Sequence, residues 1–136
     1  MPHITVEVPA SLAKKIDWRT CFLDIHKTLD AQNYGRLEDF KSRVLVSEEW
    51  LVADQNSSAT FIFATLQTMN ARPPEMLRAM GKIVHERLEQ EAKAAAGSDW
   101  VQCLVKVENT PAEDYFKSHV NAPALKEGKF EVGEKF

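Results

Sequence analysis

The chain has 136 residues, 44% of them apolar, with 17 Lys and Arg against 20 Asp and Glu for a formal net charge of -3. That size and composition fit one folded domain with a modest core and exclude a disordered chain. The mild negative balance, with acidic residues spread along the chain, excludes the basic footprint of a nucleic-acid binder.

The first segment alternates: Ile4, Val6 and Val8 fall on one side and His3, Thr5 and Glu7 on the other. This predicts a half-buried strand that Pro9 ends, since proline cannot donate to a ladder. A helix follows, with Leu12 and Ile16 as a short apolar face and Phe22, Ile25, His26 and Leu29 continuing at helical spacing. Asp17 is placed to cap the longer piece, and Asn33-Tyr34-Gly35 to end it. A second strand is expected from about Phe40 to Val46, with Ser42, Val44 and Val46 on one face and Lys41, Arg43 and Leu45 on the other. Residues 47–59 read as a loop. The third strand, TFIFATLQTM, is rich in aromatic and β-branched residues, and its continuous apolar start predicts burial on both faces. Pro73-Pro74 suits a helix start, and Met76, Met80, Ile83, Val84 and Leu88 recur at helical spacing until Gly97. A fourth strand, Trp100 to Val107, sets Val101, Cys103, Val105 and Val107 against Gln102, Lys106 and Glu108.

The order is strand-helix-strand twice over. The chain is therefore read as a single domain, 1–136, built from halves 2–47 and 60–108, with a C-terminal extension at 109–136. The expected fold is an α/β sandwich: a tandem β-α-β repeat giving a four-stranded sheet with both helices on one face. The other sheet face is left open, and its apolar residues predict that another subunit covers it. The opening MPHITVEVP lacks the basic start and apolar centre of a signal peptide, and no apolar run reaches the length of a membrane span. A cytoplasmic protein that does not engage the membrane is the expectation.

Chemistry-bearing residues are few. Cys21 and Cys103 sit in no metal-ligand or CxxC spacing and read as buried thiols. The histidines His3, His26, His85 and His119 form no close pair, so no metal site is expected. No P-loop, Rossmann glycine pattern or GxSxG is present. Pro2 stands out. A penultimate proline generally permits removal of Met1, which leaves a secondary amine at the edge of the first strand. Such an amine titrates near neutral pH, and burial with nearby cations lowers its pKa further, so it can take and return a proton at carbon. Many proteins begin Met-Pro for no catalytic reason, and with Met1 retained Pro2 is an ordinary amide.

Several short stretches stand in an order and at a spacing that match the pattern of one known family. MPHITVE resembles that family's opening, and Ser42-Arg43-Val44 its Ser-Arg-Val. Trp50 and Ala53-Asp54 match at the same spacing. Asn70-Ala71-Arg72 stands where the family has a Gly-Arg pair, and Arg78 matches a further arginine. Tyr115-Phe116-Lys117, Asn121 and Ala124-Leu125 resemble its Asn-Phe-Lys, Asn and Ala-Leu. Departures occur after the first strand (Val8-Pro9-Ala10-Ser11), at the second helix entry (Arg72-Pro73-Pro74) and at Ala122-Pro123.

On these residues the chain resembles the 5-carboxymethyl-2-hydroxymuconate isomerase family of the tautomerase superfamily, and the resemblance implies an isomerase moving a proton in an unsaturated 2-hydroxy or 2-keto dicarboxylic acid, working as a homotrimer without metal or cofactor. Pro2 would be general base and then general acid. Arg43 would hold a carboxylate or polarise the 2-oxygen, and Arg72 would follow the internal repeat of a functional arginine in smaller tautomerases. His3, Trp50 and Arg78 are carried as substrate-binding positions. A guanidinium suits both a developing dienolate and a diacid. Simpler roles stand beside these: Arg43 as an edge-strand salt-bridge partner, Arg72 as a contact to an acidic neighbour, Arg78 as a solvated helix residue and Trp50 as a loop anchor. Two other functions also stay open. A dehalogenase or decarboxylase of the same superfamily would need a carboxylate beside Pro2, for which the sequence offers Glu7, and a non-catalytic trimer would use the same arginines to bind a carboxylate.

Overall fold

The computed structural model of the protein describes residues 2–54 and 58–123. Its elements are β1 (His3–Pro9), α1 (Ala10–Ala13), α2 (Trp18–Ala31), β2 (Lys41–Ser47), β3 (Thr60–Met69), α3 (Pro74–Ala96) and β4 (Val101–Thr110). They form one four-stranded sheet in the order β2-β1-β3-β4. Each half pairs its own strands in parallel, β1 with β2 and β3 with β4, across a crossover that carries a helix. The halves join through the antiparallel pair β1–β3, with Thr5 opposite Thr65. This is the tandem β-α-β sheet expected from the sequence.

Alternation sorts the side chains. Ile4, Val6 and Val8 of β1 and Ile62, Ala64 and Leu66 of β3 are buried under Cys21, Ile25 and Leu29 of α2 and Met80, Val84 and Leu88 of α3. Each large aliphatic group buried this way contributes about 1.5–3 kcal/mol. α3 lies so close to β4 that a Cβ at Gly81 would meet Val107 Cγ2 at 2.7 Å, so only glycine fits that turn of the helix. The expected caps are in place. Asp17 Oδ1 accepts from the Thr20 N–H at 3.2 Å, and Gly97 ends α3 with φ +58°.

Two expectations need correction. The apolar start of β3 does not mean burial on both faces within the chain, because Ile62 and Ala64 are buried while Phe61 and Phe63 are half-covered. β4 runs on to Thr110, so the strand takes the first residues of the proposed extension. Cys21 is buried and Cys103 only half-buried, and both are free thiols. The matched Ala124-Leu125 lies outside the described residues. No helix of the structure is long and apolar enough to cross a membrane among those residues.

The face of the sheet away from the helices carries His3, Thr5, Arg43, Phe63 and Gln67, together with Leu45 and Leu104 at 49% and 44% exposure. It is mixed in polarity, and among the described residues no element covers it.

Candidate active site

The strand directions decide what meets Pro2. β1 and β2 run parallel, and β3 runs against them, so the starts of β1 and β2 lie at the same end of the sheet as the ends of β3 and β4. Pro2, the turn before β2, the turn after β3 and the segment after β4 therefore gather at one end. The Pro2 side chain is fully buried, and its carbonyl accepts the Lys41 N–H at 3.2 Å.

Arg43 is exposed on the open face. Its Nη1 donates to Thr5 Oγ1 at 3.0 Å, and its Nη2 lies 2.9 Å from His3 Nδ1. Burial, with the positive charges of Arg43 and Lys41, holds the His3 imidazole below its ordinary pKa. A neutral Nδ1 then accepts from the guanidinium. Arg43 is thus fixed against the residue that follows Pro2.

Arg72 lives in different surroundings. It is buried, donating from Nε to the Met69 carbonyl at 3.2 Å and from Nη1 to the Tyr34 carbonyl at 2.7 Å, with Met80 Sδ 3.4 Å from Nη1. Met80 belongs to the core under the helices, so Arg72 lies on the helix side of the sheet and Arg43 on the other. Burial pushes the Arg72 pKa down to about 10. The sequence pairs the two arginines around Pro2, but one chain alone gives each its own partners.

The remaining expected positions separate as well. Trp50 donates from its indole to the Ala59 carbonyl at 3.1 Å and lines a cavity of about 310 Å³ with Ser11, Thr60 and Asp99, at the far end of the sheet from Pro2. Within one chain it ties the 47–59 loop down and does not reach Pro2. Arg78 is solvent-exposed on α3. Glu7 is exposed on the open face, toward that far end of β1.

Sequence reasoning gave no site role to Asp39, Lys41, Tyr115 or Lys117. Lys41 Nζ donates to the Asp39 carbonyl at 2.9 Å, and Lys117 Nζ lies 3.9 Å from Asp39 Oδ1. That carboxylate oxygen is buried with no hydrogen-bond partner among the described residues, which is unusual for a buried polar atom. Burial lowers the Lys41 pKa, as do the charges of Lys117 and Arg43, against the raising effect of Asp39. Burial and the Asp39 charge raise that of Tyr115. The available signal was topological: parallel pairing of the first two strands sets the residues before Ser42 beside Pro2. Among the described residues, no group of three or more His, Cys, Asp and Glu could hold a metal ion.

Comparison with known proteins adds to this geometry. A family model described as 5-carboxymethyl-2-hydroxymuconate isomerase matches residues 2–122. No curated protein matches the chain. Among solved structures, a 5-carboxymethyl-2-hydroxymuconate isomerase from Deinococcus radiodurans R1 superposes with a TM-score of 0.78 at 16% identity, covering 88% of this chain and 90% of that one. A 5-carboxymethyl-2-hydroxymuconate delta-isomerase gives 0.75 at 12% identity, with 93% and 96% covered. N1, a member of the cis-3-chloroacrylic acid dehalogenase family, gives 0.59 at 11% identity, with 85% and 79% covered. At such identities these likenesses speak for the fold.

Proposed function

Because the chain belongs to the 5-carboxymethyl-2-hydroxymuconate isomerase family, we propose that it moves a proton between carbons of an unsaturated 2-hydroxy or 2-keto dicarboxylic acid. The observation that carries the reading is the position of Pro2, buried at the sheet end where Lys41, Arg43 and Lys117 are gathered. With Met1 removed, the Pro2 amine takes a proton from carbon and returns it at another. Negative charge then builds on the 2-oxygen, and the Arg43 guanidinium, fixed by His3 and Thr5, stabilises it. Lys41 and Lys117 supply positive charge for the substrate carboxylates, with His3 beside them. Arg72 acts as a positioning residue, holding the turn after β3 to Tyr34. The proton transfer runs on the chain's own groups and calls on no cofactor.

The test is a direct assay. Material made in its own cell should lack Met1 by intact mass, and that material should ketonise or isomerise a 2-hydroxymuconate-type diacid, followed by its ultraviolet absorbance, with no effect of chelators. Full-length mass with no activity would move the non-catalytic carboxylate binder ahead.

The open sheet face, with Leu45 and Leu104 half-exposed, supports a homotrimer in which that face is covered. Light scattering at micromolar concentration should return three times the chain mass, and a monomer or dimer would reject the count.

Asp39 supports a second reading. Water-adding chemistry, as in a dehalogenase or decarboxylase, needs a carboxylate to activate water. Asp39 Oδ1, buried and without a hydrogen-bond partner among the described residues, fits that need better than the distant Glu7. Release of halide from a 3-haloacrylate, lost in Asp39→Asn, would favour it over proton transfer alone.

A further inference from the structure

β2 is an edge of the sheet, and beside it, against α2, lies a cavity of about 430 Å³ lined by Arg19, Thr20, Phe22, Leu23, His26 and Ser42. Two of these groups are engaged with each other: His26 Nε2 and Ser42 Oγ are 2.7 Å apart. The imidazole is set in place by the Phe40 ring, 5.5 Å away between centroids. Burial and the Lys41 charge hold the His26 pKa below its ordinary value. The ring is therefore neutral at pH 7, with Nε2 able to accept the serine proton. A hydroxyl within hydrogen-bond reach of a neutral imidazole, facing a cavity, is the pairing of a nucleophile with its base.

Groups for a developing oxyanion are at hand. The Lys41 N–H points toward β1, where it meets the Pro2 carbonyl. Backbone groups alternate in direction along a parallel strand, so the Ser42 N–H points out from the sheet edge. Arg19, whose guanidinium is a hydrogen-bond donor, lines the cavity. Phe22 and Leu23 supply an apolar surface for a short acyl chain. The Thr20 hydroxyl is already held by Asp17 Oδ2 at 2.8 Å.

We propose that this cavity is an acyl-transfer site separate from Pro2, with Ser42 as nucleophile, His26 as its general base, and activated esters of small carboxylic acids as substrates. Ser42 Oγ attacks the ester carbonyl carbon as its proton passes to His26 Nε2. The bond from that carbon to the leaving oxygen breaks, and the alcohol departs with the proton from Nε2. Water, deprotonated by the same nitrogen, then cleaves the acyl-Ser42 ester, which releases the acid and restores the hydroxyl. No oxidant or reductant enters the balance.

The competing explanation is that the His26–Ser42 hydrogen bond only holds α2 against β2. The experiment that separates them treats the full chain beginning at Pro2 with p-nitrophenyl acetate, quenches, and maps the acetylated peptides. Acetyl on the Pro2 amine is an amide, whereas acetyl on Ser42 is an ester that hydroxylamine removes. The expected result is a hydroxylamine-labile acetyl on Ser42 that forms at least about 100-fold faster than on Ser11 or Ser58, the margin a general base provides. It should vanish in Ser42→Ala and slow by a similar factor in His26→Asn. The wild-type map decides the matter even if His26→Asn fails to fold. Acetyl found only on Pro2 and lysines, or on Ser42 no faster than on the other serines, overturns the proposal. A Ser42 ester whose rate is unchanged in folded His26→Asn does the same.

Discussion

With Met1 retained, the proton-transfer activity should fall to the uncatalysed background, because Pro2 then carries an amide nitrogen that has no basic lone pair. This is the largest effect expected of any single change. A tag or added residue ahead of Pro2 should act in the same way. Pro2→Ala on a processed chain leaves a primary amine at about the same place and should keep part of the rate. Arg43→Ala is the companion experiment. Removing one donor to a developing oxyanion typically costs about 100- to 1,000-fold in kcat. If Arg43 meets the 2-oxygen, kcat should fall by that order with KM little changed. If it grips only a carboxylate, KM takes the larger effect. The side chain is exposed and, among the described residues, bonded to His3 and Thr5, so stability should change by less than about 0.5 kcal/mol. The pH profile should rise through a pKa below that of free proline, since burial and neighbouring cations disfavour the protonated amine. A normal rate from protein whose mass includes Met1 would remove Pro2 from the mechanism.

Arg72→Ala should destabilise the fold by about 2–4 kcal/mol, which for a chain of this size lowers Tm by roughly 10 °C. The guanidinium donates to two backbone carbonyls, Met69 and Tyr34, in a buried setting. Deleting it takes a donor from both acceptors and opens space beside Met80 Sδ. Arg72→Lys should recover only part of the loss, because a single ammonium cannot reproduce the forked geometry that reaches both carbonyls. Thermal unfolding of the two variants beside kinetics on the diacid separates the roles. A positioning residue lowers Tm, with kcat and KM drifting together. A group that touches substrate lowers kcat while Tm holds, and that outcome would return Arg72 to the place beside Pro2 that the sequence gives it.

Local signals in the sequence were strong where the structure obeys local rules. The run Thr60–Met69 is a strand from its β-branched and aromatic content, and Asp17 and Gly97 bound their helices through cap chemistry that needs no tertiary context. The alternation of Ile4, Val6 and Val8 identified the core face of β1 directly. The site was less legible. Asp39 and Lys117 are remote in sequence and meet only because the chain after β4 returns to the end of the sheet where β2 begins. Nothing in the sequence says that the Tyr34 carbonyl waits where Arg72 arrives, so a buried structural arginine and a catalytic one look alike. Trp50 shows the same difficulty: the resemblance carries it toward the pocket, while within one chain the loop it belongs to folds against the opposite end of the sheet, as the loop anchor it was also read to be.

The burial of Pro2 also sets a clock on biosynthesis. An aminopeptidase must take the first peptide bond in extended form, and that bond adjoins Pro2, whose carbonyl is tied to the Lys41 N–H and which leads directly into the strand that pairs with β3. β3 ends at Met69, so that pairing strand does not exist until that much of the chain has been made. At a synthesis rate of about 5–20 residues per second, the interval is roughly 3 to 13 seconds. Trimming within that interval meets a loose end. Trimming after it must wait for the first strand to peel away, so slow processing or fast folding would leave a fraction of molecules folded but permanently unarmed.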